Sequence, residues 1–220
     1  MTEGSVTTKK IGRTSRFPLP ARRSITIQDH PHPLAAVAFD LDSTLTRPYL
    51  DFTRLRAQLG LAEGDILDWL ERLPPAEQRQ ARAVIEAFEQ DGVEHVEWND
   101  GAQHTLHAVQ ALALPVAIIT RNSRASLQAV CRRLGIRVDL LVAREDAPPK
   151  PDPAALRLVA DRFGVGPDRL VMVGDFRHDT QAGRAAGAWT VLLTNGREPS
   201  WPVDADIVIE RLPELLAYLN

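Results

Sequence analysis

Six short apolar runs punctuate the chain, and most of the gaps between them carry helical spacing. The runs are 34–39, 116–119, 138–142, 170–173, 189–193 and 207–209. Each is too short for a typical helix and is built mostly from Val, Ile, Leu, Ala and aromatic residues, the pattern of a strand buried on both faces. Between them, residues 101–112, 123–134, 153–163 and 178–186 read as helices, and 212–219 as a final one. Gly135 suits the C-terminal cap of the second of these. Asp152 and Pro153 suit the cap and first position of the third. Strands alternating with helices form a parallel sheet covered on both sides. The expectation is an α/β fold with a doubly wound parallel sheet.

One gap breaks the rhythm. After the first run, no second β-rich run appears until Leu114. Phe52, Leu55 and Leu59 recur at helical spacing before Gly60. Ile66, Leu67, Trp69, Leu70 and Leu73 suggest a second helix, stopped by Pro74-Pro75. Ala83, Val84, Ala87 and Phe88 suggest a third, ending near Gly92. Residues 46–98 are therefore expected to be a small all-helical insertion after the first strand, with the core domain in 31–45 and 99–220. Residues 1–30 are polar, with six basic and two acidic side chains, a net +4. They are expected to be a flexible basic arm, or an arm that docks on a partner or on the acidic body.

The bulk numbers narrow the function. With 44% hydrophobic residues in 220, the chain can bury one sizeable core. A formal charge of −3 does not suggest nucleic acid or an anionic membrane as the partner. No apolar run approaches the ~18 residues of a membrane span, and the N-terminus lacks a signal-peptide core. The single cysteine, Cys131, allows no intrachain disulfide and fits a reducing cytosol. It shares a helix face with Leu127, Val130 and Leu134 and reads as packing. A cytoplasmic protein, monomer or homodimer, is expected.

The chemistry is written at the ends of the strands. The first run leads into Asp40-Leu41-Asp42-Ser43-Thr44. Two carboxylates so close repel unless a proton or a cation separates them, which suits a hard divalent ion. The competing use is as turn formers and helix caps. The second run ends in Thr120-Arg121-Asn122-Ser123, a hydroxyl and free amides at a helix start, a natural anion site. After the third comes Pro148-Pro149-Lys150-Pro151, where prolines stiffen the chain around a lysine. The fourth ends in Gly174-Asp175-Phe176-Arg177-His178-Asp179. In an open α/β sheet, ligands bind outside those strand ends. Oxygen ligands, one placed cation and hydrogen-bond donors together suit phosphoryl transfer, which depends on positioning and charge stabilisation.

Asp40-Leu41-Asp42-Ser43-Thr44, Thr120, Lys150 and Gly174-Asp175-x-x-x-Asp179 resemble the four motifs of the haloacid dehalogenase superfamily. The resemblance covers about residues 34–195. The helices between the first two motifs resemble the C1 cap of its phosphoglycolate phosphatase-like members. It implies a Rossmann-like core under a mobile cap, and a Mg²⁺-dependent phosphatase acting on a small organic phosphate ester. Asp40 would attack phosphorus and form an aspartyl-phosphate. Asp42 would protonate the leaving oxygen and then activate water. Mg²⁺ would be held by the Asp40 and Asp175 carboxylates and the main-chain oxygen of Asp42. Thr120 and Lys150 would bind phosphate oxygens, with Asn122 assisting. Asp179 and Thr44 would stand behind them, Asp179 orienting a metal-bound water or Lys150. A phosphomutase like β-phosphoglucomutase and a non-catalytic module binding a phospho-ligand are the alternatives. The dehalogenase branch lacks the second aspartate, so Asp42 argues against halide chemistry. Ser43 stands where most members have glycine, and the insertion is short for a C1 cap, which would leave the site more open or let it take bulkier substrates.

Overall fold

The computed structural model describes residues 33–219, so the basic arm expected at 1–30 lies outside the described residues. The apolar runs form β1 (Ala36–Phe39), β2 (Val116–Ile119), β3 (Leu140–Val142), β4 (Leu170–Gly174), β5 (Trp189–Leu193) and β6 (Ile207–Ile209). They make one parallel sheet in the order β3-β2-β1-β4-β5-β6, the doubly wound arrangement expected. The helices are α1 (Phe52–Leu59), α2 (Ile66–Glu71), α3 (Pro75–Val93), α4 (Ala102–Ala111), α5 (Arg124–Leu134), α6 (Ala154–Phe163), α7 (Arg177–Ala186) and α8 (Leu216–Leu219). No helix among the described residues is long and apolar enough to cross a membrane.

Strand alternation divides the core into two layers. Val37, Phe39, Val116, Ile118, Val171 and Val173 face one layer, where Leu106 and Val109 of α4 and Leu127, Val130 and Cys131 of α5 fill the space. Ala36, Ala38, Ala117 and Ile119 face the other, where small side chains let α6 and α7 approach through Leu156, Val159 and Ala182. Helices α1 to α3 have a separate, smaller cluster around Leu55, Ile66, Leu70, Ala81 and Ile85. The two chain crossings that lead to them are tied together. Thr46 and Trp98 form an antiparallel bridge, with Arg47 N donating to Glu97 O at 3.0 Å and Asn99 N to Leu45 O at 2.9 Å.

Several boundaries differ from the expected ones. Leu34 and Val138 lie outside the sheet because they pack against the core without entering the ladder. Asp139 turns its carboxylate to Val116 N at 2.8 Å instead of continuing the strand. Pro153 stands at the N-cap of α6, and the Asp152 carboxylate accepts from Ala154 N at 2.8 Å. Pro75 does not merely stop α2. It is the first residue of α3, where its missing N–H is no loss. The final segment is a 3₁₀ turn over Leu212–Leu215 followed by the single turn of α8.

Strand order reverses between β1 and β4, and the crevice beyond that switch point is where this architecture binds ligands. Register fixes what meets there. Phe39 pairs with Val173, and Asp40 N donates to Val173 O at 2.8 Å. Asp40 and Asp175 thus leave adjacent strands at nearly the same level.

Candidate active site

Beyond β1 the chain makes a wide turn over Leu41–Leu45, closed by Thr46, whose N and Oγ1 both donate to Leu41 O (3.0 and 3.2 Å). Inside it Asp42 is extended, and Ser43 is left-handed at φ 61°. A left-handed non-glycine residue costs roughly 1–2 kcal/mol, which accounts for the glycine common at this place in the resemblance. The turn is held from outside. Asn195 Nδ2 donates to Ser43 O at 2.7 Å, and Asn99 Nδ2 to Ser43 O and Thr44 O at 3.2 and 3.0 Å. The Thr44 hydroxyl is fully buried with no hydrogen-bond partner.

Lys150 lies at the centre of the site and is 2% exposed. Its ammonium donates to Asp40 Oδ1 at 2.5 Å, Asp179 Oδ1 at 2.6 Å and Ile119 O, at the end of β2, at 2.9 Å. Burial would lower its pKa, but Asp179 and Asp40 outweigh that and hold it above the usual lysine value. The other Asp179 oxygen accepts from Phe176 N at 3.0 Å. Gly174 makes this packing possible, because a Cβ there would collide with the Asp179 carboxylate.

The acids outnumber this cation. Carboxylate oxygens of Asp40, Asp175 and Asp179 lie within 4.8 Å of one another. Burial first, then repulsion from neighbouring acids, pushes Asp175 up to about 9 and, against the pull of Lys150, Asp40 up to about 7. Burial likewise raises Asp42 to about 6, even though hydrogen bonds from Tyr49 and Asn122 oppose it. Asp42 Oδ1 is buried without a partner. A buried, all-oxygen donor set with surplus negative charge fits a hard divalent cation.

Thr120 and Asn122 are both buried. Thr120 Oγ1 accepts from Asn122 N at 3.1 Å, which shapes the turn into α5. The Asn122 amide donates to Asp42 Oδ2 at 2.7 Å and lies 3.4 Å from the Tyr49 hydroxyl. In this arrangement Asn122 orients Asp42.

Sequence reading missed the polar contacts between α1–α3 and the sheet domain. Glu89 on α3 is 3% exposed and accepts from Ser123 N at 3.0 Å and Ser123 Oγ at 2.6 Å. It also pairs with the buried guanidinium of Arg144. Asp65 caps α2 and accepts from Arg121 at 2.6 Å, while Arg121 also meets His178 Nδ1. Burial would raise the Asp65 carboxyl, yet Arg121 holds it below the usual range. One signal was visible. Glu89 continues the buried stripe of Ala81 and Ile85 at four-residue spacing, an acid where the helix should be apolar. Between the insertion and the strand ends lies a cavity of about 650 Å³ that reaches Asp40, Asp42, Lys150 and Asp175.

The sequence model of the haloacid dehalogenase-like hydrolases matches residues 34–187. An uncharacterized hydrolase of Saccharomyces cerevisiae is 32% identical over 200 residues, which span 85% of this chain and 91% of that one. A phosphoglycolate phosphatase of Chromobacterium violaceum is 28% identical over 210 residues, 83% of this chain and 95% of its own. Among solved structures, a predicted phosphoglycolate phosphatase from Haemophilus somnus superposes with a TM-score of 0.70 at 20% identity, covering 87% of this chain and all of that one. Sheet order, acid cluster and a family match over most of the length agree: the chain belongs to the haloacid dehalogenase-like hydrolases.

Proposed function

We propose that this hydrolase is a Mg²⁺-dependent phosphatase that cleaves a small organic phosphomonoester through an aspartyl-phosphate on Asp40. The observation that carries the reading is the Asp40 carboxylate 2.5 Å from the buried Lys150 ammonium, within one acid cluster with Asp175. The phosphoglycolate phosphatase relative supports the substrate class. Residues 46–98 serve as the cap, and a cytoplasmic setting accords with the one buried cysteine.

An Asp40 oxygen attacks phosphorus, and the bond from phosphorus to the ester oxygen breaks. Asp42, raised to about 6, carries a proton in part of the population near neutrality and gives it to the departing alkoxide. Asp42 then takes a proton from the water that attacks the aspartyl-phosphate, releasing inorganic phosphate and restoring Asp40. Asn122 aims Asp42 throughout. Lys150 offsets charge beside the nucleophile, and the Thr120 hydroxyl donates to a phosphate oxygen, while the amides of Asn122, Ser123 and Arg124 are taken by Thr120, Glu89 and Glu145. The Asp40 and Asp175 carboxylates and the Asp42 main-chain oxygen would hold Mg²⁺, which supplies positive charge to the phosphate oxygens when bound. Asp179 fixes Lys150.

Phosphate release from an aryl phosphate tests this reading. Wild type plus MgCl₂ should turn over, EDTA should stop it, and Asp40→Asn should lower kcat by at least about 10³-fold while circular dichroism stays native. An active Asp40→Asn enzyme would reject the nucleophile assignment.

A further inference from the structure

We infer that the site selects phosphate esters whose leaving group carries an aromatic or heteroaromatic ring, gripped by Phe52 from the insertion and Phe176 from the sheet domain. The inference rests on the phosphatase reading and narrows its substrate class. Among the described residues four large apolar side chains are exposed, and the two aromatic ones, Phe52 at 42% and Phe176 at 38%, line the same cavity. Neither exposure follows from a lack of places to pack. Phe52 opens α1 three residues before Leu55, on the stripe that carries the buried Leu55 and the half-buried Leu59, yet it takes no part in that cluster. Phe176 directly follows Asp175 and so stands beside the acid cluster. Its ring is held by edge contacts to His178 (4.9 Å, 85°) and Trp201 (4.8 Å, 65°), with the Arg177 guanidinium 5.4 Å from the ring centroid. A ring braced by its neighbours and still open to solvent is preorganised for a partner, and aromatic rings prefer offset or edge contacts with other rings.

The cavity suits such a guest. Its volume of about 650 Å³ falls in the range of small-molecule sites and exceeds what a bare phosphate needs. On the cap side the lining combines Leu50, Leu55, Ile66, Leu67 and Ile85 with Arg56, Asp65 and Glu89, whose charged groups are engaged within the protein. A ring would displace poorly held water from the apolar part of these walls.

The test uses the full chain with MgCl₂ and three esters of primary alcohols with comparable leaving groups: 2-phenylethyl, 2-cyclohexylethyl and n-butyl phosphate. Expected is a kcat/KM for 2-phenylethyl phosphate at least tenfold above n-butyl and severalfold above 2-cyclohexylethyl. Phe52→Ala and Phe176→Ala should each remove most of that preference, chiefly through KM, and Phe176→Trp should restore it. Equal kcat/KM for the three esters, or a loss in the alanine variants that is the same for every ester, would overturn the inference and leave the phosphatase reading standing. Failure to hydrolyse any ester would overturn the phosphatase reading and the inference with it.

Discussion

Glu89→Gln should undock the helical insertion from the sheet domain. The carboxylate takes two buried hydrogen bonds from Ser123 and a third, part-buried one from Arg144. Glutamine has the same shape but no charge. Each hydrogen bond to a charged acceptor is worth about 1.5–3 kcal/mol, against about 0.5–1.5 for a neutral one. The two Ser123 bonds therefore weaken by roughly 2 kcal/mol together. Arg144, 5% exposed, keeps only the longer contacts to Glu86 (3.6 Å) and Glu145 (3.9 Å), both on half-exposed acids. Removing one partner of a buried pair costs about 3–5 kcal/mol, and the retained amide oxygen offsets part of it. A loss of about 3 kcal/mol shifts the docking equilibrium on the order of 100-fold. Hydrogen exchange should then rise across α3 and at the Thr46–Trp98 bridge, and the urea midpoint should fall by about 1 M. Arg144→Met should lose a similar amount, and the double variant clearly less than the sum, because the two act as one pair. If Glu89→Gln stays within about 0.5 kcal/mol of wild type with unchanged exchange, the carboxylate does not hold the insertion down.

Two further outcomes follow from the local physics. Ser43→Gly relieves a left-handed serine, offset by the freer unfolded chain, so stability should rise by up to about 1 kcal/mol and Tm by about 2–4 °C; a lower Tm would show that the serine side chain contributes more than its backbone costs. In EDTA, Asp40 (about 7) and Asp175 (about 9) hold protons more tightly folded than unfolded, where the usual value is 3.8. Their contribution is complete below about pH 4 and is lost as pH rises through about 7 for Asp40 and about 9 for Asp175. Melting of the metal-free protein should therefore fall between pH 5 and pH 9, and stabilisation by MgCl₂ should be larger at pH 9 because the ion takes the place of those protons. A MgCl₂ shift equal at both pH values would contradict the acid-cluster site.

The sheet was legible because a doubly buried parallel strand is a continuous apolar run, and the register of β1 on β4 then brings Asp40 and Asp175 together without further instruction. Lys150 was legible as a held cation, but not as the donor joining Asp40, Asp179 and Ile119 O, since those partners are 29 to 110 residues away. Periodicity reports whether a position is buried, not which distant group answers a polar one. The same limit hid Asp65 with Arg121 and Glu89 with Arg144, each pair about 55 residues apart. Yet Glu89 was not silent. Ala81, Ile85 and Glu89 share one stripe of α3, and a charge buried there alone would be prohibitively costly. Such an acid demands a cation or several donors from outside its own helix. The positions three and four residues away on α3 are Ile85, Glu86, Gly92 and Val93, none of them a cation. The stripe itself therefore required a partner from outside α3, and the fold answers from the sheet domain with Ser123 and Arg144.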